Sequence, residues 1–246
     1  MKRFFVLLIF SIVAFGVSAQ NSTVVAAAAT APEQVVSIPK TDWLTTFHSI
    51  KIDGPMNVLF KRVNSAEEVR IIYDTKGNIS SKFKFEVDKK GVLVVSEKSD
   101  PKRTTVTDIT IYYHSLRDVK IAHAKAEFED RIESEMFDLS ISGGAIVSLD
   151  VSSFDLAVEC TGVSRLTLGG STKYLTMRVS TAKVNCSELS TVSTIIEASH
   201  SSEVRIVVSE RLEATTSTGA KLLYKGYPRI IRDHTLVFGG EIININ

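Results

Sequence analysis

The sequence predicts an all-β protein, with a strand-rich N-terminal section leading into a short right-handed parallel β-helix of about 19 residues per coil. Three observations predict it. From Trp43 onward the apolar residues recur with period two rather than 3.6. Between Phe137 and Tyr224 one block of alternating residues returns at intervals of about nineteen. The five prolines lie at 32, 39, 55, 101 and 228, so residues 102–227 hold none. A stacked ladder needs every backbone donor that a proline would remove.

Composition sets the limits. The 246 residues carry 29 Lys+Arg against 28 Asp+Glu and are 44% hydrophobic, which excludes a disordered tail. A net charge of +1 gives no basic footprint, so no nucleic-acid partner is expected. Two cysteines cannot staple a chain of this length, so a hydrophobic core must hold it. Beyond residue 20 no apolar run is long enough to cross a bilayer as a helix.

The chain opens on an address. Lys2 and Arg3 form a basic start, Phe4 to Val17 is an apolar stretch, and Val17-Ser18-Ala19 places small residues before Gln20. This is the layout of a secretory signal peptide over 1–19, with cleavage between Ala19 and Gln20. A buried first helix and a permanent anchor are the alternatives; Ser11, Gly16 and the short run argue against the anchor. No cysteine near the cleavage point offers a lipid attachment site. Removing the leader takes away two basic residues and no acid, so the mature chain is weakly acidic. Residues 20–42, with four consecutive alanines and two prolines, read as a linker.

Strand patterns follow. Ile50 and Ile52 alternate, then Val58 and Phe60, then Val69, Ile71 and Tyr73, then Phe83, Phe85 and Val87. After Lys90-Gly91 comes Val92–Val95, then Ile109, Ile111 and Tyr113, then Val119 and Ile121. Asp-Gly, Lys-Gly-Asn and Ser-Asp-Pro break these runs at turns. Over 124–137, Phe128, Ile132 and Met136 stand at helical spacing, so a short helix competes there with strand and turn; the neighbouring repeat favours strand.

The repeat begins at Phe137, Leu139, Ile141 and Gly143, with Val147 and Leu149. Nineteen residues on stand Leu156, Val158, Cys160 and Gly162, with Leu166 and Leu168. Then come Leu175, Met177 and Val179, with Val184 and Cys186 after a one-residue deletion, then Ile196, Ala198, Val204 and Ile206, and finally Gly219, Leu222 and Tyr224. Corners echo one another as Ser142-Gly143-Gly144-Ala145, Thr161-Gly162-Val163-Ser164 and Thr218-Gly219-Ala220-Lys221. One such unit cannot bury its own apolar row; stacked in register, the units form a continuous core. Residues 137–220 include 26 Ser+Thr, residue types that suit corners and outward faces and resist helix. A β-sandwich with coincidental spacing is the rival. The domain plan is therefore 1–19 signal, 20–42 linker and 43–242 β domain, with N-terminal strands over 43–120 and coils over 121–242.

Phe47-x-x-Ile50-x-Ile52-x-Gly54, the Ser/Thr-Gly corner, Tyr224-Lys-Gly226-Tyr-Pro228 and Phe238-Gly-Gly-Glu-Ile242 together resemble the putative auto-transporter adhesin head GIN domain family, a Bacteroidetes-type domain of unknown function. The resemblance covers about 43–242 and lies in the order and spacing of loose motifs. His200 and Thr181 depart from it by standing where corners carry glycine. It implies an exported protein and supplies no catalytic residues. A translocator barrel needs many further membrane strands, and none is expected here.

Catalytic chemistry is sparse. Enzymes on β-helices cluster acids, but between 139 and 208 the acids are Asp150, Asp155 and the scattered Glu159, Glu188, Glu197 and Glu203. Glu159, Arg178 and Glu197 fall at equivalent outward positions, either a ligand-facing ladder or a solvated face with ion pairs between coils. The histidines 48, 114, 123, 200 and 234 are dispersed; His114 and His123 come nearest to a pair. Trp43 and Tyr112-Tyr113 are sugar-stacking or core aromatics. Cys160 and Cys186 sit in adjacent coils at non-equivalent positions, either as a disulfide or as two buried thiols. No catalytic residue, metal site or cofactor is expected. The sequence thus reads as an exported, non-enzymatic binding or scaffold module of the cell envelope, periplasmic or at the surface. Its partner would be a glycan or an envelope protein. A carbohydrate-active β-helix enzyme and a partner of an envelope sensor system are the alternatives.

Overall fold

Alternating β-branched and aromatic residues commit this chain to strands, and small residues with left-handed backbone turn them. A computed structural model describes residues 37–77, 82–102, 105–235 and 239–246. The signal over 1–19 with its Ala19–Gln20 cleavage point, most of the 20–42 linker, and Phe238 lie outside these residues.

Seventeen strands follow in order. The first nine are β1 (Lys40–Trp43), β2 (Ser49–Asp53), β3 (Met56–Arg62), β4 (Arg70–Asp74), β5 (Phe83–Val87), β6 (Val92–Glu97), β7 (Thr107–Tyr113), β8 (Asp118–Ala122) and β9 (Lys125–Phe128). Five long strands come next: β10 (Ile132–Ser142), β11 (Ile146–Thr161), β12 (Arg165–Ser180), β13 (Lys183–Ser199) and β14 (Glu203–Thr216). The last three are β15 (Lys221–Lys225), β16 (Ile230–Thr235) and β17 (Glu241–Asn244). The described residues contain no α-helix, and the strands build a β-solenoid of about 6 turns with ~19 residues per turn. Over 124–137 the structure has β9 and β10, not a helix. Phe128 and Ile132 are buried while Met136 is 67% exposed, so their helical spacing does not define one face.

Each long strand bends rather than running straight. In β11 the buried residues are Val147, Leu149 and Val151, then Leu156, Val158 and Cys160. The change from odd to even positions marks the bend, because a turned chain must reset which alternate residues face inward. One wall stacks β7, β3, β9 and the starts of β11 to β14, followed by β15 and β17. A second wall stacks β6, β2, β8 and the ends of β10 to β14, followed by β16. The start of β10 and the middles of β11 to β14 form the third.

Register turns the repeat into columns. On the second wall Leu93, Ile50, Val119, Leu139, Val158, Met177, Ile196 and Ala214 are successive partners, all buried. The deletion at Thr181 is real: Arg165 pairs with Lys183, and the register shift between Thr167 and Gly169 restores nineteen by Gly169↔Glu188. Thr181 (φ 55°) and His200 (φ 52°) adopt left-handed backbone without being glycine, as does Val163 (φ 64°), which follows Gly162. For a β-branched residue that conformation is strained, and the cross-coil bond from Val163 N to the Thr181 carbonyl (2.7 Å) helps hold it.

Two boundaries differ from the sequence reading. The last residues of the expected linker are already structured, since β1 pairs antiparallel with β4 (Thr41↔Ile72). The segment 43–120 supplies coil strands itself: β2 lies between β6 and β8, parallel to both. The chain therefore enters the stack at its second coil, goes outward to β6 and β7, and returns through β8. The antiparallel strands β4 and β5 cover the outermost coil by pairing with β7 and β6.

Candidate functional site

Stacked coils place equivalent residues one strand spacing apart, about 4.8 Å. Outward columns are therefore the surfaces on which this fold can build a site. Several regions of the described surface gather side chains with binding chemistry.

The first runs along the third wall. A cleft of about 700 Å³ is lined by Ser153, Ser171, Lys173, Ser190, Val192 and Tyr227, among others, and crosses from β11 to the turn after β15. That volume is in the range of small-ligand sites. A hydroxyl spine shapes its floor. Ser153, Thr172 and Thr191 are successive register partners. Ser153 Oγ donates to Thr172 Oγ1 (3.0 Å), and Thr172 Oγ1 donates to the Tyr174 carbonyl (3.1 Å). Thr191 Oγ1 donates to the Val207 carbonyl (2.7 Å) and accepts from Thr194 Oγ1 (2.7 Å). These buried hydroxyls satisfy the carbonyls freed where the wall bends. Beside them the side chains of Ser171 and Ser190 turn outward in register. At one end Lys173 Nζ lies 4.9 Å from the Phe154 ring centre and 5.3 Å from that of Tyr174. The two rings meet edge to face at 5.3 Å. At the other end Tyr227 is 82% exposed.

The second region is a shallow groove of about 330 Å³ on the second wall, where Asp118, Lys120, Asp138, Glu159 and Arg178 gather. Asp118 and Asp138 are register partners. The expected Glu159–Arg178–Glu197 column is present, and Arg178 Nε bonds Glu197 Oε2 at 3.1 Å. Both side chains of that pair are largely exposed, so it contributes little to stability. A third hollow near the N-terminal coils carries Asn57, Asp74, Asp108, Lys125 and Glu127. Burial is the largest single effect on the Asp108 carboxyl and would raise it, but the Lys76 ammonium and the Asn57 amide together hold it below its usual range.

The remaining sequence candidates separate. His114 Nδ1 lies 3.2 Å from the Val63 carbonyl, whereas His123 Nδ1 lies 3.0 Å from Asp53 Oδ1, so the two engage different partners. His200 Nδ1 contacts Ser180 Oγ and Ser199 Oγ at its corner. No group of three or more His, Cys, Asp or Glu with metal-site geometry occurs among the described residues. Tyr113 is core, and burial pushes its phenol well above its ordinary range. Tyr112 lies beneath Arg70, whose guanidinium is 3.7 Å from the ring centre, and Arg70 also lies 5.5 Å from that of Trp43.

Cys160 and Cys186 are buried and free. They belong to different walls: Cys160 stacks between Ile141 and Val179, and Cys186 against Ile206. Burial pushes the Cys160 thiol up to about 12 and raises Cys186 as well, so both stay neutral at physiological pH. Native protein is expected to leave both thiols unreacted with a thiol reagent, and unfolding without reductant to release two. Release of none would show a disulfide instead.

A family model described as putative auto-transporter adhesin, head GIN domain, matches residues 46–228. The chain belongs to this family. Solved structures share the fold of this GIN domain. A putative adhesin of Bacteroides fragilis superposes with a TM-score of 0.75 at 17% identity, covering 85% of this chain and 97% of its own. A putative adhesin of Parabacteroides merdae gives 0.66 at 16% identity, covering 85% and 96%. A putative lipid binding protein of Parabacteroides distasonis gives 0.64 at 14% identity, covering 85% and 97%. No curated relative matches the sequence.

The groove residues Lys173, Ser171 and Ser190, and Phe154 beside Lys173, carry no motif of their own. The repeat text aligns Ser171 with Ser190, and that alignment was the one signal that could have pointed to them.

Proposed function

We propose that this GIN domain is an exported, non-enzymatic binding or scaffold module of the cell envelope. The observation that carries the reading is the third-wall cleft. It offers valine side chains interspersed with hydroxyls, with the exposed Tyr227 ring at one end and Lys173 over the Phe154 and Tyr174 rings at the other, and no carboxylate lines it among the described residues. Such a surface can hold a ligand, but it lacks the paired acids that glycoside or polysaccharide cleavage needs. Membership in an adhesin-type family supports the same reading, as does the signal-like start of the sequence. No helix among the described residues is long and apolar enough to cross a membrane.

A carbohydrate-active enzyme is the second reading, favoured by the gathering of Asp118, Asp138, Glu159, Lys120 and Arg178 in the second-wall groove. One experiment separates the two. Purified protein is incubated with panels of glycans and esters, and intact cells are treated with protease. Binding without turnover, with the protein cleaved on intact cells, supports a surface binding module. Turnover abolished by Asp138→Asn contradicts it. Protection on intact cells together with co-purification of an envelope protein would move the module to the periplasm.

A further inference from the structure

We propose that the third-wall cleft is a binding site for an acidic oligosaccharide, with Lys173 recognising the anionic group and Tyr227 stacking on a sugar ring. The inference rests on the binding-module reading and gives that module a ligand class and an address.

Four features of the cleft point the same way. First, its charge: Lys173 is the one charged side chain in the described lining. Its ammonium stands over the Phe154 and Tyr174 rings rather than beside an acid. A cation held by ring faces stays available to an incoming anion, and no carboxylate among the described residues forms an ion pair with it. The charged column of the second wall differs. On the second wall Arg178 is bound by Glu197, and Lys120 lies 3.5 Å from Asp118.

Second, its length. From Ser153 on β11 to Tyr227 after β15 the cleft crosses five successive coils, or about 19 Å at one strand spacing per coil. That suits an extended chain of several sugar rings rather than a single small anion. Third, the hydroxyls set among its apolar lining residues. Ser171 and Ser190 are outward register partners, so their hydroxyls repeat along the cleft at the coil spacing. Two hydroxyls one coil apart that can both donate and accept suit the hydroxyls of successive sugar rings. Fourth, its aromatic rings: Tyr227 lines one end, and Phe154 and Tyr174 flank Lys173 at the other. Phe154 is 50% exposed, Tyr174 41% and Tyr227 82%. Exposed rings with a polar handle supply the apolar contact that the C–H face of a sugar requires.

The site is built by register, so it should be rigid before the ligand arrives. Thr172 and Thr191 are buried and hydrogen-bonded directly beneath the lining serines and Lys173. Little ordering is then left for the ligand to bring about.

The test uses the purified protein with oligogalacturonate, its fully methyl-esterified neutral counterpart, and vesicles of an anionic phospholipid. Calorimetry or fluorescence titration reads the affinity. Oligogalacturonate should bind, and the esterified chain should bind at least about tenfold more weakly. Lys173→Gln should weaken the acidic ligand by about tenfold or more and leave the esterified chain nearly unchanged. Tyr227→Ala should weaken both by about threefold to tenfold. Raising salt should cost affinity for the acidic chain only. Lys89→Gln, in the exposed turn between β5 and β6, is the control and should change nothing. Unaltered melting temperatures would show that the variants remain folded.

Three results overturn the inference. If oligogalacturonate binds and Lys173→Gln and Tyr227→Ala leave it unchanged, the module binds glycans elsewhere; the binding reading survives and this site does not. If vesicles bind through Lys173 and no oligosaccharide does, the cleft recognises a lipid surface. If the oligosaccharide is bound and shortened, the non-enzymatic reading falls as well.

Discussion

Gly170→Ala should lower the unfolding free energy by about 3 kcal/mol or more, whereas Gly144→Ala should cost about 1 kcal/mol. Both glycines have left-handed backbone, with φ of +102° at Gly170 and +78° at Gly144. They differ in what a methyl group would meet. At Gly144 there is open space. At Gly170 the added carbon would be driven into the carbonyl oxygen of Val151 in the adjacent coil. That oxygen belongs to the backbone of a paired strand and has no room to retreat. Gly226 stands over the Val208 carbonyl and Gly54 over that of Glu97 in the same way, so the three glycines mark places where backbones of neighbouring coils approach most closely. Denaturant titration of the two alanine variants reads the difference. Equal losses would mean that φ alone sets the cost and that the coils can move apart.

Phe60→Ala should cost about 3–5 kcal/mol, comparable to the Gly170 change but from a different cause. Phe60 is fully buried on β3, between register partners Ile111 and Phe128. Its ring stacks on that of Phe128 with centres 4.1 Å apart and planes 9° apart, and meets Tyr113 edge to face at 6.4 Å. Deleting it opens a cavity where the outward excursion through β6 and β7 joins the main stack. Phe60→Leu should cost about 1–2 kcal/mol, because it keeps most of the volume. The double variant Phe60→Ala/Phe128→Ala should lose less than the sum of the singles, by about 1 kcal/mol. Strict additivity would show that the stack is not a shared contact.

Much of this architecture was legible in the chain. A solenoid repeats one local problem, so each coil writes the same solution in its own residues. Leu139, Val158, Met177 and Ile196 share a column because each must fill the same place in the core. The deletion at Thr181 was visible for the same reason. The order of the first coils was not legible. β2 lies between β6 and β8 through pairings that span some forty to seventy residues, and strand partners so distant leave no local periodicity. Over 124–137 the neighbouring repeat favoured strand over the helical spacing, and β9 and β10 are strands, with Phe128 and Ile132 in the core and Met136 pointing outward.

The candidate site was less legible than the fold. Glu159, Arg178 and Glu197 could be aligned from the repeat, but alignment alone does not distinguish a ligand face from an ion-paired one. Lys173 draws its meaning from Phe154 and Tyr174, and the Phe154 ring reaches it across coils. Tyr227 lies beyond the last full repeat and belongs to the cleft because β15 ends beside β14. Sites of this kind arise from register between coils, whereas sequence motifs record what lies along one strand.

The claim that this GIN domain binds without transforming its ligand has one direct measurement. Purified protein is held at saturation with an oligosaccharide it binds, and the ligand is then recovered and its chain length and end groups read by mass spectrometry. The account predicts saturable binding and ligand recovered unchanged after prolonged incubation. Shortened chains, or chains carrying a new unsaturated end, would contradict it and place the chemistry in the second-wall groove of Asp118, Asp138 and Glu159.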